Sequence, residues 1–179
     1  MKYFIFALTF FILIPLPAKA TPIDRETANA YFLNCKANPD PRFSEETQTQ
    51  FCGCTATQML SGFTKEDMQK IGNPNDPSAR TAVNKLMINI YAPCIQFPAQ
   101  EYHYQTCVEN PKTKILGNPE TVCKCAANQV AGYLQNNSKN LLRKILRDNP
   151  TIQDPMQAIY NDTDFQNFAQ SQLMGCLRR

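Results

Sequence analysis

The chain has 179 residues, with 18 Lys and Arg against 15 Asp and Glu, 13 Pro, 8 Cys, one His and no Trp. A balance this close to neutral argues against a nucleic-acid binder, and a single imidazole argues against metal or catalytic centres that need two. No segment reaches the ~20 consecutive apolar residues of a transmembrane helix.

The chain opens Met1-Lys2, runs through an apolar stretch at 3–14 and reaches Ala18-Lys19-Ala20, the small-x-small form after which signal peptidase cuts. Residues 1–20 are therefore read as a signal peptide, and the remainder as an exported soluble protein. Losing Lys2 and Lys19 leaves it with a net charge of about +1. An even cysteine count in an exported chain predicts a disulfide framework.

The cysteines fall into two sets of the same order: Cys35, Cys52, Cys54, Cys94, then Cys107, Cys123, Cys125, Cys176. In the first set, Thr21-Pro22 reads as a helix start, with Ala28, Tyr31, Phe32 and Cys35 on one face. Ser44, followed by Glu45 and Glu46, opens a second helix with Cys52, Ala56, Met59, Leu60 and Phe63 as its buried stripe and Gly62 at its end. Thr64 and Asp67 have capping-box spacing and start a short third helix ending at Gly72. Asp76-Pro77 precedes the fourth, where Val83, Leu86, Met87, Ile90, Tyr91 and Cys94 hold helical spacing until Pro93 kinks or ends it.

The second set repeats these signals. Pro98 opens a helix through Cys107, and Asn118-Pro119-Glu120 opens the helix of Cys123 and Cys125. Ser138 caps a short basic helix ending near Asn149-Pro150, and Asp154-Pro155 leads to a last helix carrying Phe165, Phe168, Ala169 and Gln172 towards Cys176. The expected fold is all-α, a duplicated four-helix unit with repeat 1 at 21–97 and repeat 2 at 98–179, forming one disulfide-stapled helical bundle.

Each helical residue advances about 100°, so the two cysteines of a Cys-x-Cys point roughly 200° apart and should not bond each other. Two pairings remain in repeat 1: Cys35 with Cys52 and Cys54 with Cys94, or Cys35 with Cys54 and Cys52 with Cys94. The position of Cys52 nearer the hairpin turn favours the first. The same choice holds in repeat 2 for Cys107, Cys123, Cys125 and Cys176. Splayed thiolates and one histidine, His103, do not suit zinc, and no metal or other cofactor is expected.

The copies differ most in their third helix. Lys139, Arg143, Lys144 and Arg147 make one face basic, opposite Leu141, Leu142, Ile145 and Leu146, where repeat 1 has Lys65, Glu66, Asp67 and Lys70. Lys112, Lys114, Lys124, Arg178 and Arg179 can add to the same field. The four residues of this face are the candidate site for an anionic phospholipid or phosphoinositide headgroup; the competing reading is a solvated helix face. Tyr102-His103-Tyr104 reads as core packing with an exposed imidazole, and the methionines as core filler. No Gly-x-Ser-x-Gly, His-Glu-x-x-His or phosphate loop is present, so no catalytic residue is assigned and the chain is not read as an enzyme.

Phe51-Cys52-Gly53-Cys54 with its upstream Cys35 resembles small exported helical proteins of Gram-negative bacteria that carry an aromatic-Cys-x-Cys helix; Val122 replaces the aromatic in repeat 2. The Asn- and Gln-rich chain behind its signal peptide also looks like a type II secreted protein of Legionella-like intracellular bacteria. The resemblance implies release from the cell and action at host membranes or host proteins, with no catalytic residues to transfer. The resulting expectation is a secreted, non-enzymatic binding protein that uses the basic helix. Its alternatives are a module that binds a protein, such as a host protein, through an apolar groove between the repeats, or a periplasmic structural or chaperone-like protein.

Overall fold

Cysteine bonds organise the helices. In the computed structural model, which describes residues 20–73, 75–115 and 118–178, Cys35 is bonded to Cys52, Cys54 to Cys94, Cys107 to Cys123 and Cys125 to Cys176. The leader read at 1–20 lies, but for Ala20, outside the described residues, as do Pro74 and Arg179. Among the described residues the secondary structure is helical, apart from one isolated bridge between Pro22 and Thr64.

Repeat 1 contains α1 (Arg25–Ala37), α2 (Glu45–Gly62), α3 (Lys65–Gly72) and α4 (Ala79–Leu86). The start of α1 differs from the Thr21-Pro22 reading. Thr21 and Pro22 pair with the Thr64–Glu66 segment instead, and Asp24 caps the helix by accepting from the Thr27 amide at 2.8 Å. Ser44 caps α2 as expected, and Thr64 with Asp67 forms the expected reciprocal capping box on α3. Asp76 folds back on Ser78, so α4 begins after Pro77 rather than at it. From α4 the chain widens into a π-helical segment, Met87–Tyr91, and tightens into a 3-10 turn, Ala92–Cys94, where Pro93 cannot donate an amide bond.

Repeat 2 contains α5 (Gln96–Glu109), the single turn α6 (Pro111–Lys114), α7 (Pro119–Asp148), α8 (Pro155–Tyr160) and α9 (Thr163–Leu177). Here the helix start read at Ser138 needs correction. Ser138 caps nothing; the second and third helices run together as the 30 residues of α7. Ser138 is instead buried on that helix and donates its hydroxyl to the Ala92 carbonyl of repeat 1 at 2.6 Å. A buried serine needs such a partner, and this one joins the copies.

The two Cys-x-Cys helices are each held on two sides, α2 to α1 and to the 3-10 turn, α7 to α5 and to α9. Val130, Leu134 and Leu142 of α7 pack with Ile95, Ala99, Ile159 and Phe165 in the larger core cluster, while Ile23, Ala28, Met59, Phe63 and Ile90 form a smaller one within repeat 1. Further ties cross between the copies. The Glu101 carboxylate of α5 accepts from the Ser44 amide and hydroxyl at the start of α2, both at 2.9 Å.

Candidate functional site

A concavity with mainly apolar walls lies where the repeats meet. It is a cleft of about 510 Å³ whose walls include Phe43, Phe51, Tyr91, Ile95, Pro98 and Met156. The loop between α1 and α2 supplies Phe43, α2 supplies Phe51, the π-helical segment Tyr91, the start of α5 Pro98, and α8 Met156. Phe51 and Tyr91 pack with ring centroids 5.7 Å apart, and burial pushes the Tyr91 phenol above its usual value.

At the mouth, Arg42 bridges the copies. Its Nη2 is 2.6 Å from Asp40 Oδ2, its Nη1 is 2.8 Å from Asp154 Oδ2, and the guanidinium lies 5.3 Å from the Phe43 ring centroid. The Asp40 contact, strengthened by Asp154, holds the Arg42 guanidinium above its usual range, and Arg42 in turn holds the Asp40 carboxyl below its own. Asp154 is fully engaged. Its other oxygen accepts from the Met156 and Gln157 amides at 2.9 and 3.0 Å, capping α8. Buried Gln48 secures the loop from beneath, donating to the Cys35 carbonyl at 3.2 Å while its carbonyl accepts from the Asp40 amide at 3.4 Å.

The charges at this mouth satisfy one another. An added ionic ligand would have to displace an existing partner, whereas an apolar group would meet the half-buried rings of Phe43, Phe51 and Tyr91 at no such cost. No family model, curated protein or solved structure matches the chain.

The basic face read from sequence sits on the second half of α7. Lys139, Arg143 and Arg147 are exposed along one row, with Arg143 donating to Asn140 Oδ1 at 3.1 Å. Lys144 is turned towards α9. Its Nζ lies 2.5 Å from Asp164 and 3.2 Å from Asp162, and these contacts raise its pKa. Arg147 has Asp148 beside it at 3.9 Å. The four cations thus stand among three carboxylates, leaving a weaker local field than the sequence stripe suggests.

The eight cysteines are consumed by the four bonds, so none is a thiolate. His103 differs from the exposed imidazole expected of it. Its Nε2 is buried without a hydrogen-bond partner among the described residues, and burial lowers its pKa. Its neighbour Tyr102 does pack as expected, edge-on to Tyr160 at 4.8 Å between centroids. Sequence reasoning named a groove between repeats but none of its walls. Arg42 and Phe43 sit in a Pro-Asp-Pro-Arg-Phe stretch between two helices that carries no periodic signal, and Met156, read as core filler, does pack in the larger core cluster while also lining the cleft.

Proposed function

We propose that this is a non-enzymatic binding protein that receives apolar side chains of a protein partner in the cleft between its repeats. The observation that carries the reading is the pairing of an apolar wall, in which the rings of Phe43, Phe51 and Tyr91 are half-buried, with a mouth whose ions are already satisfied. Four disulfides suit an oxidising compartment, and no helix among the described residues is long and apolar enough to cross a membrane. Release from the cell, as the signal peptide and the resemblance imply, would bring the cleft to an external or host protein; retention in the periplasm would bring it to a resident one.

The test is peptide selection on the oxidised protein, followed by titration with the selected peptides. Asn38 and Gln153 are exposed residues lining the cleft, so replacing each by Trp obstructs it without altering the core. Selected peptides should carry large apolar anchors, bind nearly as well in high salt, and lose at least about tenfold in affinity for the Asn38→Trp/Gln153→Trp variant. Peptides that bind through charge, or that ignore the obstruction, would discard the reading.

A second reading, capture of an anionic phospholipid or phosphoinositide, is favoured by the exposed row of Lys139, Arg143 and Arg147. It predicts co-sedimentation with vesicles containing phosphatidylserine or a phosphoinositide. Reversing Lys139, Arg143, Lys144 and Arg147 should abolish this binding. Equal binding by wild type and variant removes this reading and leaves the cleft untouched.

A further inference from the structure

Residues 21–24 are tied down one after another. The Thr21 carbonyl accepts from the Lys65 amide at 3.0 Å, Pro22 bridges to Thr64, and Ile23 is 4% exposed in the repeat 1 core. Asp24 caps α1 and pairs with Lys65 at 2.6 Å. Ala20, immediately before, is exposed. Among the described residues the ties therefore begin at the residue that follows Ala18-Lys19-Ala20.

The Thr21 nitrogen is the notable member of this series. It lies 3.0 and 3.2 Å from the two carboxylate oxygens of Glu66 on α3, so both oxygens converge on one backbone nitrogen. A peptide nitrogen has a single hydrogen and no charge to offer them. An ammonium has three hydrogens and a positive charge, and such charge-assisted bonds are roughly twice as strong as neutral ones.

We infer that the Ala20–Thr21 bond is a processing site and that Glu66 is the receptor for the amino terminus that cutting creates. A signal-peptidase-type hydrolase adds water across the bond. The hydroxyl stays on the Ala20 carbonyl carbon as the carboxylate of the released leader, and the Thr21 nitrogen takes a hydrogen and then a proton to become the α-ammonium. The neutral contact with Glu66 becomes an ion pair joining the chain start to α3. The hydrogen bond with Thr21 already holds the Glu66 carboxyl down to about 2, so the receptor is ionised throughout the physiological range.

The full chain, leader included, is expressed in an exporting bacterial host. The product's first residue is read by mass spectrometry, and its α-amine is titrated through the pH dependence of acylation. The expected product begins at Thr21, with an α-amine pKa at least about one unit above the ordinary ~7.7–8.0, so that neutral-pH labelling is about tenfold slower than in Glu66→Gln. A second variant retains one extra residue before Thr21. It moves the amine away from Glu66 while leaving the core unchanged, and should show the ordinary pKa. A different first residue overturns the inference. So does an α-amine of ordinary pKa in the wild-type product, or one as elevated in either variant as in the wild type.

Discussion

At the scale of the residue, His103 is the chain's one imidazole, and its environment gives it a defined pH signature. Burial disfavours its charged form and leaves Nε2 without a partner, so its folded pKa lies below the ordinary 6.5. The unfolded chain therefore takes a proton more readily than the fold does. Stability from this group is fully present above pH 6.5 and is lost as pH falls through the lower folded value. Asp24, Asp40, Asp67, Asp76 and Glu66 are also held below their usual values, and they withdraw stability in the same direction, as pH falls below the ordinary values of 4.5 for Glu66 and 3.8 for the aspartates. The His103 window opens at a higher pH than the carboxylate one. Thermal melts should show a falling midpoint between pH 7 and 5 for the wild type and a nearly flat profile for His103→Leu. Parallel profiles would remove His103 as the cause.

At the scale of the element, helix boundaries were legible where a cap was local and illegible where a distant partner decided. Ser44, Thr64 with Asp67, and Asn118 cap the helices their spacing predicted. Ser138 has the same local credentials, but the apolar positions Val130, Leu134, Leu141 and Leu142 continue on either side of it and all are buried, so burial of that face keeps α7 helical. Gly62 at the end of α2 and Gly132 within α7 should behave oppositely on substitution. A Cβ on Gly132, exposed within α7, meets nothing within 4 Å, so Gly132→Ala should stabilise the protein by roughly 0.5–1 kcal/mol through helix propensity alone. A Cβ on Gly62 would stand 3.0 Å from Ile90 Cδ1, and Ile90 is fully buried. There the overpacking term of ~1–3 kcal/mol should exceed the propensity gain, and Gly62→Ala should lower stability in denaturant titration. Stabilisation by both substitutions would show that the repeat 1 core yields more easily than its packing implies.

At the scale of the molecule, two small helical units share a core and are stapled at four places. Helical geometry excludes a bond within each Cys-x-Cys but leaves two pairings, and only the position of Cys52 nearer the hairpin turn leans towards the one observed. The walls of the cleft were not legible, because they come from elements distant in sequence and only the fold assembles them. The same assembly determines which bonds matter. Cys35–Cys52 and Cys107–Cys123 close short loops, separations of 17 and 16 residues, within adjacent helices. Cys54–Cys94 and Cys125–Cys176 close separations of 40 and 51 and tie the Cys-x-Cys helices to the far ends of their repeats. In the chain-entropy model a short loop contributes about 3 kcal/mol and a long one about 4, so all four together rival the ~5–15 kcal/mol that separates folded from unfolded domains. Full reduction should then leave the chain unfolded or molten, with loss of its cooperative thermal transition. Replacing one pair at a time by Ser should grade the effect, with Cys125→Ser/Cys176→Ser costing about 1 kcal/mol more than Cys107→Ser/Cys123→Ser. Retention of the helical circular dichroism and the thermal midpoint after reduction and alkylation would mean that the shared core around α7 holds the fold without its staples.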